Sequence, residues 1–184
     1  KQVLTLTLAS LLMAMNAEAF TLLDSYNTGV GLARNGSAEI LAYTAHDNYT
    51  VLSTVGDNTG GSFGVQILSL SNTGTLSEKG FADFSSVFGA AGNWNGASSV
   101  AVDPNNRGFA AVSLIPSAST TTLGKVAFFD YRAATANNAR SLVVLDVGFH
   151  PDSVKFSADG TKLLVANEGE FIAASGVNAP GSLS

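Results

Sequence analysis

The sequence predicts an all-β protein, a β-propeller built from four-stranded antiparallel blades. Apolar residues make up 46% of the chain and charged residues only 12%, while 19 glycines supply turns, so the composition suits a packed, turn-rich core. Short alternating segments recur in groups of four, which is typical of propeller blades. A β-sandwich is the alternative, but its strands do not recur as quartets. No amphipathic helical pattern of ten or more residues follows the first apolar segment.

Three partial repeats carry this prediction, and they align on Ile40, Val100 and Val154, roughly 50 to 60 residues apart. Each repeat opens with an alternating strand, continues through a polar turn and enters a second strand. The predicted first strands are Ser37–Tyr43, Ala97–Val102 and Pro151–Phe156. The predicted second strands are Tyr49–Val55, Phe109–Leu114 and Lys162–Asn167.

Third and fourth strands complete the first two repeats, and the third repeat shows only the start of its third strand. The predicted third strands are Gly64–Leu70, Gly124–Tyr131 and Gly181–Ser184, and the fourth strands are Leu76–Phe84 and Leu142–Val147. The blades are then about 20–84, 85–148 and a truncated 149–184. A propeller closes with four to eight blades. We therefore expect an N-terminal fragment of about two and a half blades.

Residues 1–19 have the pattern of a secretory signal peptide. Lys1 precedes an apolar stretch over Val3–Met15, and Ala17 and Ala19 supply the small residues that a signal peptidase reads. The stretch is too short for a transmembrane span; the alternative is a buried amphipathic helix. We expect a bacterial protein that is secreted, periplasmic or at the cell surface, with an incomplete N-terminus.

Composition also excludes several classes of function. The net charge is −5 and no basic stripe is present, which argues against nucleic-acid binding. The absence of cysteine excludes thiol catalysis and zinc–cysteine sites. Neither a Gly-x-Ser-x-Gly elbow nor a phosphate-binding Gly-x-x-x-x-Gly-Lys loop occurs. The sequence therefore favours a non-enzymatic module.

The segment Asn167–Glu170 is the strongest candidate site. It follows Leu163–Ala166, a continuous apolar run expected of an inner strand that is covered on both faces. Side chains two apart in an extended segment point the same way, so Glu168 and Glu170 could face one ion. Calcium favours such oxygen ligands, and Asn167 could complete the shell. The alternatives are solvated loop acids, or a Glu168 that binds backbone amides of the next blade.

Two further acids and three other side chains are secondary candidates. Glu39 and Asp152 lie in first strands of their blades and could ring the mouth of the central channel as metal ligands; the alternative is a strand-end acid that caps a turn. His46 lies in a turn that we expect to be exposed. His150 precedes a proline at a blade entrance and is a ligand, a base or a packed loop residue. Trp94 either stacks on a sugar or packs over a blade edge.

Several of these segments carry a family resemblance because of their order and spacing. They are Tyr26–Gly31, Gly36–Ile40, Ser99–Val102, His150–Val154 and Leu164–Glu170. Together they resemble the choice-of-anchor I family of secreted bacterial propellers, which is similar to mesenchyme-specific cell-surface glycoproteins. The resemblance implies a seven-bladed, exported propeller with a variable C-terminal anchor. Phe171 departs from the family pattern, which usually has proline after the acidic motif.

Two functional hypotheses follow from these observations. The first is an exported or cell-surface propeller that acts as a binding scaffold for an extracellular ligand or surface partner, with calcium as its assisting ion. The second is a secreted, metal-dependent phosphoric-ester hydrolase, because some members of the family carry phytase-like or alkaline-phosphatase-like labels. In the second hypothesis Glu168, Glu170, Glu39 and Asp152 hold the metal.

Overall fold

The computed structural model describes residues 22–26, 37–55, 62–85, 93–133 and 141–184, and within them the chain is all-β. The predicted signal peptide lies outside the described residues. The strands are β1 (Ser37–Thr44), β2 (Thr50–Val55), β3 (Gly64–Leu70), β4 (Leu76–Asp83), β5 (Trp94–Val102), β6 (Phe109–Pro116), β7 (Lys125–Asp130), β8 (Ser141–Asp146), β9 (Pro151–Phe156), β10 (Leu163–Asn167), β11 (Glu170–Ile172), β12 (Val177–Ala179) and β13 (Ser182–Leu183). A short helical segment, α1 (His46–Tyr49), lies between β1 and β2.

Eleven of the described strands form three antiparallel sheets in the order that the repeats predict, and β11 and β12 form a separate two-stranded sheet. The first sheet is β1-β2-β3-β4 and the second is β5-β6-β7-β8, each with neighbours in chain order. The third sheet is β9-β10-β13, so the predicted third strand at the end of the chain does pair with β10. The predicted four-stranded antiparallel repeats are thus confirmed for the first two units.

The sheets stack face to face through their first strands and their apolar inner surfaces. Strand β1 contacts β5, and β5 in turn contacts β9. One apolar cluster joins the first and second sheets, where the Phe84 ring meets the Phe129 ring edge-on at 5.4 Å. A second cluster joins the second and third sheets around Ala111, Val154 and Val165. Burial between successive sheets is the main stabilising term in this arrangement.

Trp94 belongs to the first of these clusters and is not a ligand platform. Its side chain is only 6% exposed, and its ring stacks on Phe63 with 6.2 Å between centroids. Of the two alternatives for this residue, packing at a sheet edge is the one that the structure shows.

The β1–β2, β5–β6 and β9–β10 turns lie together at one end of the sheets, which we call the turn end. Although α1 has helical hydrogen bonding, its residues Asp47, Asn48 and Tyr49 have φ of 56°, 60° and 52°, so it is a left-handed turn. Such backbone costs about 1–2 kcal/mol per non-glycine residue. The Asp47 carboxylate holds the turn by accepting hydrogen bonds from Tyr131 Oη and Arg132 Nε, both at 2.7 Å.

The turns of the second and third sheets are also tied to each other. Asn105 Nδ2 donates to the carbonyl of Asp159 at 2.5 Å, and Arg107 Nη2 donates to the carbonyl of Gly160 at 2.6 Å. Arg107 is held in place by the buried Asp103, which accepts from its Nε at 2.9 Å and its Nη2 at 2.7 Å. These hydrogen bonds lower the pKa of Asp103. The turn end is therefore a connected polar layer.

The third repeat differs from the first two in what covers its inner strand. Leu164 on β10 is 54% exposed while Val165 is buried, so one face of the strand packs on the second sheet and no described element covers the other. The residues after Glu170 form the β11–β12 hairpin, which is inserted in the chain between the second and third strands of the third sheet.

Candidate functional site

A cleft of about 480 Å³ opens at the end of the third sheet opposite the turn end, which we call the loop end. Its volume lies in the range of small-molecule sites. The cleft is lined by the loop after β10, the β11–β12 hairpin and the connection into β9: His150, Glu168, Gly169, Glu170, Phe171, Asn178, Ala179 and Gly181. The predicted acids Glu168 and Glu170 both belong to this lining.

The acidic segment reaches the cleft by a different backbone path from the one predicted. Gly169 has φ of +73°, so residues 168–170 are not extended and the rule that alternate side chains share a face does not apply. A side chain at Gly169 would meet the carbonyl oxygen of Ala179 at 2.4 Å, which is possible only for glycine. This close approach brings the chain from β10 into the hairpin. Glu168 is exposed, while Glu170, the first residue of β11, is half-buried.

Glu170 joins three separate segments at the floor of the cleft. Its Oε2 accepts a hydrogen bond from Ser119 Oγ in the β6–β7 loop, and the same oxygen lies 3.6 Å from His150 Nδ1. Charge-assisted hydrogen bonds of this kind fix a carboxylate more firmly than neutral ones do. Of the two acids, Glu170 is thus oriented by the second sheet, and Glu168 is the one open to solvent.

His150 is held in an unusual conformation beside Glu170. Its φ is +51°, which is uncommon for a residue other than glycine, and its carbonyl accepts a hydrogen bond from the Glu168 backbone N–H at 2.9 Å. Its Nδ1 is buried without a hydrogen-bond partner. Strained backbone and unsatisfied polar atoms concentrate at functional sites. The structure therefore places His150, which the sequence left as ligand, base or packed residue, in the cleft wall.

Asn167 lies at the base of the cleft, where its side chain holds neighbouring segments together. Its side chain is 3% exposed, its Oδ1 accepts from the Gly148 backbone N–H at 3.0 Å, and its Nδ2 donates to Ser182 Oγ and Ser184 Oγ at 3.2 and 3.0 Å. Both polar atoms are already engaged. Asn167 fastens β13 to the connection before β9 and is not among the lining residues.

The other predicted metal ligands lie elsewhere. Glu39 is exposed on β1 and Asp152 is exposed on β9, and neither lines the cleft. Among the described residues, no group of three or more histidine or acidic side chains is close enough to hold a metal ion. The calcium site stays a prediction.

Three contributors to the site were not found from the sequence. Asn178 and Phe171 form a cross-strand pair in the hairpin, and the Ser175-Gly176 dipeptide is a turn signal that could have revealed it. Ser119 gave no signal, because its contact with Glu170 depends on how two sheets stack.

The family model of the Choice-of-anchor I domain matches residues 39–184, a range that begins within β1 and includes the rest of the sheets and the cleft. The chain belongs to the choice-of-anchor I family. Membership in this family indicates an extracellular or surface-anchored bacterial module. No curated protein and no solved structure matches the chain. Within the described ranges, no helix has the length and apolar character needed to cross a membrane.

Proposed function

We propose that this choice-of-anchor I chain is an exported β-propeller module that binds an extracellular ligand in the cleft at its loop end. The observation that carries the proposal is the cleft itself, where an oriented carboxylate, a histidine edge, an exposed phenyl ring and an exposed amide converge. Binding sites of exported scaffolds are commonly loops placed by a rigid sheet framework.

The stacking of the sheets supports the propeller. Consecutive four-stranded antiparallel sheets follow each other face to face, and their first strands β1, β5 and β9 lie in sequence, as the inner strands of successive blades do. Ring closure needs at least four blades. A structure of the full-length protein tests this, and sheets that pair into a two-layer sandwich would contradict it.

Calcium assistance is part of the proposal in a narrower form than the sequence suggested. Glu168 is the carboxylate exposed to solvent, whereas Glu170 is already bound by Ser119. Calcium requires six to eight oxygens, so an ion between these acids would also recruit carbonyl groups and water. Calorimetric titration of the full-length protein with calcium measures this directly. A Glu168→Gln variant that binds calcium as well as the wild type would contradict it.

The binding function is tested by filling the cleft. Asn178 is exposed on β12 and lines the cleft, so Asn178→Trp should occupy the cleft without removing a buried contact. The matched control is Val144→Trp, at an exposed position on the outer strand β8 of the second sheet. The panel contains neutral sugars, amines, amino acids and phosphomonoesters, and the readout is the unfolding temperature of the full-length protein.

We expect one ligand class to stabilise the wild type and Val144→Trp but not Asn178→Trp. A ligand at a hundred times its Kd adds about 2.7 kcal/mol to the free energy of unfolding, which is easily measured. Stabilisation that persists in Asn178→Trp, or none from any class, would overturn the cleft as the binding site. Metal-dependent phosphomonoester hydrolysis that disappears in Glu168→Gln would replace the binding function with the hydrolase.

A further inference from the structure

We infer that the cleft recognises the ammonium group of an organic amine, with His150 Nε2 as a neutral hydrogen-bond acceptor beside Glu168. The inference rests on the proposed binding function and names the ligand class for that site. It follows from three properties of the lining: the tautomer of His150, the balance of charge and the exposed aromatic ring.

The surroundings of His150 determine which ring nitrogen carries the proton. Nδ1 is buried 3.6 Å from the Glu170 carboxylate, so a lone pair there would face a negative oxygen, whereas an Nδ1–H is attracted to it. We therefore assign the neutral imidazole as the Nδ1–H tautomer, from its environment. Ser119 holds Glu170 in the orientation that enforces this choice.

The opposite edge of His150 then faces the ligand. Among the residues that the structure describes, none hydrogen-bonds to Nε2, and the His150 side chain is 25% exposed, so this nitrogen is accessible. In the assigned tautomer Nε2 carries a lone pair and only accepts hydrogen bonds. A ligand that meets it must donate one.

The remaining groups also favour a positively charged donor. Two carboxylates line the cleft, and no lysine or arginine is among its lining residues in the described part of the chain. A cleft with one sign of charge concentrates ions of the opposite sign. Phe171 is 65% exposed at the cleft, and a phenyl face attracts a cation by about 0.5–1 kcal/mol at an exposed site.

These features match an ammonium group better than a neutral sugar, and an ammonium group beside Glu168 would compete there with the calcium ion of the proposed function. An imidazole nitrogen and a phenyl ring are not ligands of calcium, which takes oxygen. A neutral polyol can donate hydrogen bonds but gains little from two carboxylates. An ammonium group can interact with all three kinds of group in the lining. Its three N–H groups donate hydrogen bonds to the acceptors, and its positive charge is attracted to both the carboxylates and the phenyl ring.

The tautomer assignment is testable without any ligand. His46 and His150 are the two histidines of the chain, so their ring ¹⁵N signals are assigned by a single His46→Gln variant. At pH 8 we expect His150 to show the Nδ1–H pattern, and Glu170→Gln and Ser119→Ala to shift it toward the common Nε2–H pattern. An Nε2–H pattern in the wild type would overturn the assignment.

The ligand class is tested by calorimetry on the full-length protein with matched probes. 1,4-Diaminobutane represents a free amine, and Nα-acetyl-lysine amide represents a peptide side chain. Butane-1,4-diol removes the charge, and tetramethylammonium keeps the charge but has no N–H donor. We expect at least one amine to bind tenfold or more tighter than both comparison compounds. The tighter of the two amines identifies the source of the ligand.

Two acid variants show whether the contact is local. Glu168→Gln should weaken amine binding at least tenfold, whereas Glu39→Gln removes the same charge from an exposed position on β1 and should change binding less than twofold. Equal effects would show non-specific attraction and overturn the site. Tight binding of a neutral sugar in the cleft would overturn the amine but leave the binding function intact; failure of every panel compound would overturn the function itself.

Discussion

Alanine at Gly169 and alanine at Gly176 separate two effects in the β11–β12 hairpin: backbone strain and steric contact. Both glycines have positive φ, +73° and +68°. A side chain at Gly169 would lie 2.4 Å from the carbonyl oxygen of Ala179 and 2.6 Å from the Gly181 nitrogen, whereas one at Gly176 meets nothing within 4 Å. Gly176→Ala is therefore a matched control that carries the strain alone.

The expected magnitudes follow from these contacts. Positive φ costs alanine about 1–2 kcal/mol, and the stiffer unfolded chain recovers about 0.4–1 kcal/mol, so Gly176→Ala should lose at most about 1.6 kcal/mol. Gly169→Ala adds an overlap with backbone atoms that cannot rotate away. Overpacking of this kind costs about 1–3 kcal/mol more.

Urea unfolding of the full-length protein measures the difference in stability between the two variants if the hairpin unfolds with the sheets. Hydrogen exchange of the hairpin amides measures this difference if the hairpin opens alone. We expect Gly169→Ala to be less stable than Gly176→Ala by about 1–3 kcal/mol in one of the two measurements. A difference below about 0.5 kcal/mol in both would refute the close approach that shapes the cleft.

Three other predictions concern the core and the titration of two buried groups. Phe129→Ala should lower the free energy of unfolding in urea by about 3–5 kcal/mol because the Phe129 ring is fully buried against Phe84. Phe171→Ala should change it by less than about 0.5 kcal/mol because Phe171 is exposed. Equal losses would contradict the described core. The folded-state pKa of Asp103 is lowered, so its contribution to the free energy of unfolding is complete above the unfolded pKa of about 3.9 and is lost as pH falls through the folded pKa. As the pH is lowered from 6 to 2, the urea midpoint should therefore fall more steeply in the wild type than in Asp103→Asn. Parallel curves would contradict the pairing with Arg107. Burial, together with the hydrogen bond to Asp47, raises the pKa of Tyr131 to about 12. Ultraviolet titration should therefore show a late phenolate step that Tyr131→Phe removes. The stabilisation from this group should disappear as the pH rises from its unfolded pKa of about 10 toward 12.

The sequence predicted the sheets because their signals are local. Alternating apolar residues and polar turns fix each strand, and the repeat of whole quartets fixes their order, so even the two-residue β13 was placed beside β10 correctly. An apolar run reports hydrophobicity and not what packs on it, so the sequence did not show that no described element covers Leu164.

The site was predicted only in part because its geometry depends on distant contacts. Glu168 and Glu170 were identified from their position after an apolar strand, but the left-handed Gly169 between them changes where each one points. The hydrogen bond from Ser119 to Glu170 joins the β6–β7 loop to the β11–β12 hairpin, and the left-handed His150 depends on the chain that folds over it. No pattern within a single segment carries that information.

The two ends of the stacked sheets differ in how readily the chain can be lengthened there. At the turn end, Asn105 and Arg107 reach the backbone of the next sheet's turn, so an added residue would break bonds on two sheets at once. At the loop end, a ten-residue hairpin stands between β10 and β13 without altering their pairing. Because closing a longer loop costs little free energy, this end can change its length and side chains while the sheets keep their register. The hairpin at this end can thus be replaced by one of another length or sequence, with no need to refold the framework that carries it.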